Sequence, residues 1–318
     1  MILSVSRRTD IPAFYSEWFF NRLREGFVLV RNPMNYRQVS HIELNPSVID
    51  GIVFWTKNPA PMMERLNLLE EYNYYFLVTL TPYGPEIEKS IPSKEKVVEA
   101  LQKLVGKIGP ARIIWRYDPI IFNAEMNLEY HAEKFEFLAS RLKGYTRRCQ
   151  ISFVDFYKKA INNLRLLKAE KPDNAIVLQT GKVLADIAGK YEIKLEACAE
   201  KADLISLGIS PAKCIDDRLI AEISGKNIRV VKDRNQRHSC GCIASIDIGA
   251  YNSCRHGCLY CYASFSEKSV ANNTSRHNPN SPMLIGDVEA GDKVTKRKMV
   301  SYFKGLEAEL FPMTKSLL

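Results

Sequence analysis

The sequence lacks any apolar run of the roughly 18 residues that a membrane-spanning helix requires. Cysteine is sparse, at eight in 318 residues, and every cysteine except Cys149 lies after residue 190. This uneven distribution is unlike the disulfide framework of a small secreted domain. We therefore expect a soluble, cytoplasmic protein with no membrane partner, in which the cysteines bind metal rather than each other.

The sequence also lacks concentrated charge and a glycine-rich nucleotide-binding fingerprint. Its 45 Lys and Arg outnumber its 36 Asp and Glu, and the net charge is +9, but the basic residues are scattered along the chain. A dispersed positive charge favours binding to polyanions, but it does not indicate which surface would bind them. Nucleic acid is therefore only one candidate for the unknown substrate.

The pattern of apolar residues predicts an α/β fold. Short runs rich in β-branched and aromatic residues alternate with helical patterns, which is typical of βα units around a parallel sheet. Two helical patterns, at 97–108 and 128–142, end near Gly109 and Gly144. We predict strands at Ile2–Ser6, Ile52–Thr56, Tyr75–Leu80, Arg112–Tyr117, Cys149–Val154, Ile193–Cys198 and Ile243–Ile248.

This order of elements predicts a TIM-like (β/α) barrel, partial or full. The chain is long enough to bury a substantial single core. We assign residues 1–270 to the barrel, including a cysteine loop at residues 254–261. Residues 271–318 are expected to form a C-terminal extension that packs on it.

The most specific motif is CRHGCLYC at 254–261. Its cysteines, Cys254, Cys258 and Cys261, have C-x3-C-x2-C spacing. Three thiolates can hold three irons of a [4Fe-4S] cluster and leave the fourth iron open to a substrate or cofactor. Electron-carrying clusters usually have a fourth cysteine, so the spacing favours a catalytic cluster. Zinc is one alternative, although zinc ribbons generally use two C-x2-C pairs, and accidental spacing is the other.

The motif resembles the radical S-adenosylmethionine (SAM) signature, C-x3-C-x-aromatic-C, with Tyr260 as the aromatic residue. The resemblance implies a [4Fe-4S] cluster on the three cysteines and SAM bound at its open iron. It also implies reductive cleavage of SAM and hydrogen abstraction from a substrate. Tyr260 would line the adenine side, and flavodoxin or ferredoxin would donate the electron.

Other segments resemble the domain-of-unknown-function 1848 family, namely 6–12, 54–59, 115–119 and the terminal cysteine run. That family carries its cysteine cluster near the C-terminus, whereas ordinary radical SAM enzymes carry theirs after the first strand of the barrel. Here the predicted strand Ile243–Ile248 immediately precedes the cysteine loop. The resemblance therefore implies a circularly permuted barrel, in which residues 1–6 lie beside this late strand.

Polar residues at strand ends are the next candidates, because active sites of such barrels gather there. We assign Arg7, Arg8 and Asp10 to cofactor binding, although Asp10 could simply cap the helix that Pro12 opens. The catalytic candidates follow later strands. They are Lys57, Arg116 and Asp118.

Two alternatives apply to Arg116 and Asp118. They could form a structural ion pair. They could instead act as a clamp for a carboxylate or phosphate.

The remaining cysteines could form a second site from Cys198, Cys214, Cys240 and Cys242. Full thiolate ligation would suit either zinc or a closed iron–sulfur cluster. The alternatives are buried free thiols or a hydrogen-atom donor to a substrate radical. Cys149 is expected only to pack in the core.

The competing function for the whole chain is a non-enzymatic zinc- or iron–sulfur-binding module, either a nucleic-acid binder or a redox sensor.

Overall fold

The computed structural model describes residues 1–264 and 266–303. Eleven strands and eight α-helices are formed in this part of the chain. The strands are β1 (Ile2–Val5), β2 (Phe27–Arg31), β3 (Gln38–Glu43), β4 (Gly51–Thr56), β5 (Tyr74–Thr79), β6 (Ile113–Ile120), β7 (Arg148–Phe153), β8 (Lys194–Ala197), β9 (Ser210–Pro211), β10 (Ile246–Asp247) and β11 (Lys293–Lys296). The helices are α1 (Ile11–Phe14), α2 (Ser16–Glu25), α3 (Lys94–Ile108), α4 (Leu128–Leu142), α5 (Ile161–Leu166), α6 (Asn174–Lys190), α7 (Asp217–Ser224) and α8 (Glu267–Thr274).

Eight of the strands form one parallel sheet in the order β10-β1-β4-β5-β6-β7-β8-β9. The N-terminal strand lies between two partners, since Leu3 pairs with Ile246 on β10 and with Ile52 on β4. This confirms the predicted α/β class and the predicted pairing of the first residues with the strand before the cysteine loop. Closure into a barrel and its circular permutation stay predictions.

The central strands are buried on both faces, as parallel strands usually are. All six residues of β4 and all six of β5 are buried. On one face, the rings of Phe54 and Phe76 stack with centroids 4.6 Å apart. On the other face, Val53 and Tyr75 pack with residues of the loops that follow β9 and precede β10. Aromatic and branched residues therefore fill two apolar layers, one on each side of the sheet.

Helix boundaries follow local capping signals. Ser93 caps α3 by accepting a hydrogen bond from the Lys96 N–H at 3.4 Å, and the helix ends at Gly109, whose φ of 81° favours glycine. Asn127 caps α4 by accepting from the Tyr130 N–H at 3.0 Å. Both predicted helices are confirmed.

Two predicted strands differ from the structure by three residues at one end, whereas the other five agree to within one residue. Strand β6 extends to Ile120, so Asp118 lies within it, together with Arg116, rather than after it. Strand β10 spans only Ile246–Asp247. The residues before it bond to other loops instead of extending the strand: the Ile243 N–H donates to the Ile215 carbonyl at 3.2 Å, and the Ala244 N–H donates to the Val231 carbonyl at 3.0 Å.

A second, three-stranded sheet in the order β11-β3-β2 was not predicted. Its antiparallel β2–β3 hairpin departs from the βα alternation, and β11 comes from a distant part of the chain.

The region after residue 270 also contacts α2, since the Trp18 indole N–H donates to the Ser281 carbonyl at 2.9 Å. The division at residue 270 stays a prediction, and 304–318 lies outside the described residues.

Across the described ranges, no helix combines the length and the apolar character that crossing a membrane requires.

One histidine of α4 is fully buried beneath the sheet. Tyr117 Oη lies 2.9 Å from His131 Nδ1, and His131 Nε2 lies 3.0 Å from the Ile121 carbonyl oxygen. The arrangement suits a neutral ring that accepts from the phenol and donates to the carbonyl. Burial lowers the pKa of His131 to about 4.

We expect this histidine to make the fold sensitive to mild acid. An unfolded histidine protonates near pH 6.5, whereas the buried ring stays neutral down to about pH 4. The free energy of unfolding should therefore fall as the pH drops from 6.5 to 4, by about 3 kcal/mol in total from this residue. Urea unfolding across this range should show a shallower pH dependence for His131→Gln than for the wild type.

The matched control is His238→Gln, because His238 is exposed. This variant should retain the pH dependence of the wild type. Parallel curves for His131→Gln and the wild type would contradict the assignment.

Candidate active site

A cavity of about 450 Å³ lies where the carboxyl ends of the parallel strands meet the cysteine loop. This position follows from the topology, because all parallel strands end at the same edge of the sheet. Every residue that the sequence proposed for a site lines this cavity: Arg7, Arg8, Asp10, Lys57, Arg116, Asp118, Cys198, Cys214, Cys240, Cys242, Cys254, Cys258, Tyr260 and Cys261. The structure thus brings the candidates together, while their individual roles stay predictions.

The cysteine loop is held by the segment that follows β5. The Leu259 N–H donates to the Ile87 carbonyl at 3.0 Å, and the Ser90 N–H donates to the His256 carbonyl at 3.0 Å. Within the loop, Gly257 has a φ of 66°, a conformation that side chains disfavour. These backbone contacts help to fix the curve of the loop that lines the cavity.

The three cysteines of this loop are half-buried at the cavity wall. Burial raises the pKa of Cys258 to about 12 and that of Cys254 well above its usual value. Backbone N–H groups also face sulfur, since the Ala263 N–H donates to Cys261 Sγ at 3.3 Å. Metal binding would require loss of the thiol protons.

The donor set suits an iron–sulfur cluster, because one loop presents three thiols and N–H donors to a shared cavity. In the ranges described here, no group of three or more His, Cys, Asp or Glu side chains already has the arrangement of a metal site. The fit therefore rests on the chemistry of the donors and on their common cavity.

A buried carboxylate, Glu88, organises one wall of the cavity. It accepts hydrogen bonds from Lys57 Nζ at 2.7 Å, Lys94 Nζ at 2.6 Å and Thr81 Oγ1 at 2.7 Å. The Tyr260 hydroxyl also donates to it. Burial by itself would raise the pKa of Glu88, but the two lysines lower it to about 2. Lys57 and Tyr260 are consequently held by one anion.

Sequence reasoning missed Glu88, which lies in the irregular segment between β5 and α3. Its position between two lysines, Lys57 and Lys94, is visible only in three dimensions. A glutamate flanked by loop residues carries no periodic signal, so no sequence pattern singled it out.

Asp10 connects three parts of the site. One carboxylate oxygen caps α1 by accepting from the Ala13 N–H at 2.9 Å. The other accepts from the Lys57 N–H at 2.7 Å and lies 2.8 Å from His256 Nε2. The capping alternative is confirmed, and the same side chain also anchors the cysteine loop.

A second missed carboxylate, Asp247 on β10, fixes the loop that carries the arginines. It accepts from Ser4 Oγ at 2.6 Å, Ser6 Oγ at 2.8 Å and the Arg7 N–H at 2.8 Å. Arg8 Nε lies 3.9 Å from it. These contacts join two segments that are far apart in the chain and place the arginines at the cavity.

The predicted ion pair between Arg116 and Asp118 is present. Ser152 Oγ also donates to Asp118, at 2.6 Å. Two buried polar atoms beside the cavity, Arg116 Nε and Thr9 Oγ1, have no hydrogen-bond partner within residues 1–264 and 266–303. Unmet buried donors are costly, so the clamp interpretation of Arg116 remains open alongside the ion pair.

A family model described as Domain of unknown function (DUF1848) matches residues 2–263. The chain belongs to the DUF1848 family. The matched range includes the parallel sheet, the cysteine loop and every residue that lines the cavity. No curated protein and no solved structure gives a significant match. DUF1848 membership thus covers the whole site without supplying a function for it.

Removing the carboxylate of Glu88 should destabilise this protein strongly. In Glu88→Ala, Lys57 and Lys94 lose their common partner in a poorly hydrated wall, and breaking a buried ion pair in this way costs about 3 kcal/mol or more. Urea unfolding of the metal-free protein would measure the loss.

The control is Glu267→Ala, whose exposed partner is Lys89. Exposed ion pairs contribute little, so this variant should unfold like the wild type. Equal midpoints for the two variants would show that the Glu88 network does not support the fold.

Proposed function

We propose that this DUF1848 protein is an iron–sulfur enzyme of the radical SAM type, which cleaves SAM reductively and abstracts hydrogen from a substrate. The observation that carries the proposal is the shared cavity. Cys254, Cys258 and Cys261 face the same space as the charged residues at the strand ends. A binding module would need the thiols but not the adjoining polar pocket.

The three cysteines would hold a [4Fe-4S] cluster with one open iron. When bound, the cluster and SAM would supply the one-electron chemistry that removes a hydrogen atom from the substrate. The electron would come from a reduced donor such as flavodoxin or ferredoxin. The pairing of β1 with β10 supports a circularly permuted barrel, because it places the strand before the cysteine loop beside the N-terminal strand.

Other residues of the chain would bind and orient the ligands. The unmet Nε donor of Arg116 could bind a carboxylate or phosphate of SAM or substrate. Arg7 and Arg8 add positive charge at the same cavity. Asp10 would act through His256 and the Lys57 backbone, holding the cysteine loop in register. Tyr260, tied to Glu88, would line the cavity as a fixed aromatic wall.

The test is electron paramagnetic resonance of anaerobically reconstituted, reduced protein with and without SAM. We expect a four-iron signal that changes when SAM is added, together with release of 5′-deoxyadenosine. The variant Cys254→Ala, Cys258→Ala, Cys261→Ala should lose the SAM-responsive signal. Cys149→Ala should retain it, because Cys149 is buried in the core away from the cavity.

A signal that ignores SAM, or a protein that binds only zinc at these positions, would overturn the enzymatic proposal. The competing zinc- or iron–sulfur-binding module would then replace it. A redox sensor would respond to oxidant without consuming SAM, which separates it from the enzyme in the same experiment.

A further inference from the structure

Two tyrosines stand where the cavity opens to solvent. Tyr157 and Tyr262 line the cavity, yet they are 42% and 40% exposed. Tyr157 belongs to the loop after β7, and Tyr262 directly follows the last cysteine of the CRHGCLYC loop. The other large apolar residues that are exposed in the described ranges do not line the cavity. The exposed pair is therefore a feature of the cavity mouth.

The two rings are held in place before any ligand arrives. Their centroids lie 5.5 Å apart and their planes are inclined at 48°, so they touch without covering each other's faces. The Tyr262 hydroxyl donates to the Arg7 carbonyl at 2.9 Å, and the Tyr157 hydroxyl donates to Asp155 at 3.2 Å. Rings fixed in this way lose little conformational freedom on binding. The mouth thus presents two ordered aromatic faces to solvent.

Lysines lie beside this aromatic pair. Lys158 and Lys159 directly follow Tyr157, and both are exposed. Lys159 Nζ lies 5.3 Å from the centroid of the Tyr251 ring, and Arg8 Cζ lies 5.2 Å from the same centroid. This shared ring brings Lys159 close to the arginine loop that lines the cavity. Positive charge therefore continues from the cavity onto the surface around its mouth.

The charges of the cavity are not balanced. In the described part of the chain, five cationic residues and three carboxylates line it, namely Arg7, Arg8, Lys57, Arg116 and Arg237 against Asp10, Asp118 and Asp155. Each of the three carboxylates already has a cationic or histidine partner. The two lysines beside the mouth add to the positive excess. The mouth consequently favours an anionic ligand.

Aromatic faces next to cations are the combination that binds single-stranded nucleic acid. Bases stack on the rings, while lysine and arginine follow the phosphates. A duplex keeps its base faces within its own stack, so it would not use the tyrosines. A small aromatic anion would use the rings, but it would not need Lys158 and Lys159, which lie outside the lining of the cavity. The combination therefore favours a single strand.

We propose that the surface formed by Tyr157, Lys158, Lys159, Arg237 and Tyr262 binds single-stranded nucleic acid. Bases would stack on the two tyrosines, and phosphates would contact the three cations. A strand bound in this way has a nucleotide at the entrance of the cavity. Nucleic acid would then be the substrate class, an assignment that rests on the reaction proposed above, whereas the binding surface does not.

Fluorescence anisotropy of a labelled oligothymidylate of about 12 nucleotides tests the proposal on the full-length protein. We expect micromolar binding at about 50 mM salt that weakens as the salt concentration rises. Tyr157→Leu and Tyr262→Leu should each weaken binding about fivefold or more, because they keep apolar bulk but remove the stacking face. Tyr157→Phe should bind like the wild type, and so should Tyr145→Leu, since Tyr145 is exposed away from the cavity.

The lysines are tested through the salt dependence of the same binding. The double variant Lys158→Ala, Lys159→Ala should reduce the slope of log Kd against log salt by about 1.4, because each phosphate contact of a single strand contributes about 0.7. The matched control is Lys103→Ala, Lys107→Ala, whose lysines are exposed on α3. It should keep the slope of the wild type.

The wild type decides the case even if a variant fails to fold. An abasic oligomer of the same length has the same phosphates without bases, and it should bind about fivefold more weakly or worse. Equal binding of the two oligomers, tighter binding of a duplex, or no binding at low salt would overturn the proposal. Binding by a protein without a SAM-responsive signal would support this inference and refute the proposed reaction. A SAM-responsive signal without binding would refute this inference alone.

Discussion

The architecture depends on the parallel pairing of β1 with β10. This contact joins the first residues of the chain to the strand that leads into the cysteine loop. Asp247 reinforces it with hydrogen bonds to the serines and backbone at the end of β1. Together with the contact between Asp10 and His256, this pairing brings the loop of Arg7 and Arg8 and the three thiols of CRHGCLYC to one cavity.

Burial of charge determines how the cavity is built. A carboxylate removed from water must be paired or it will be protonated. Glu88 is paired with two lysines, and it also accepts a hydrogen bond from Tyr260. Asp10 uses both oxygens on backbone donors and His256. These anions therefore fix the positions of Lys57, Tyr260 and the cysteine loop.

The cysteines that line the cavity fall into two groups by their place in the chain. Cys254, Cys258 and Cys261 lie on one loop, so a single backbone curve sets their spacing. Cys198, Cys214, Cys240 and Cys242 come from three separate segments, and only the folded chain brings them to the same cavity.

The α/β class, the helices at 97–108 and 128–142, and the spacing of Cys254, Cys258 and Cys261 could all be predicted from the order of residues. These features depend on periodicity and on neighbours within a few residues, which a linear pattern records. The end of β6, the β2–β3 hairpin and the contacts of Glu88 and Asp247 become visible only in the folded chain. Each depends on partners far away in the chain, and the cost of burying charge is set by those partners rather than by local sequence.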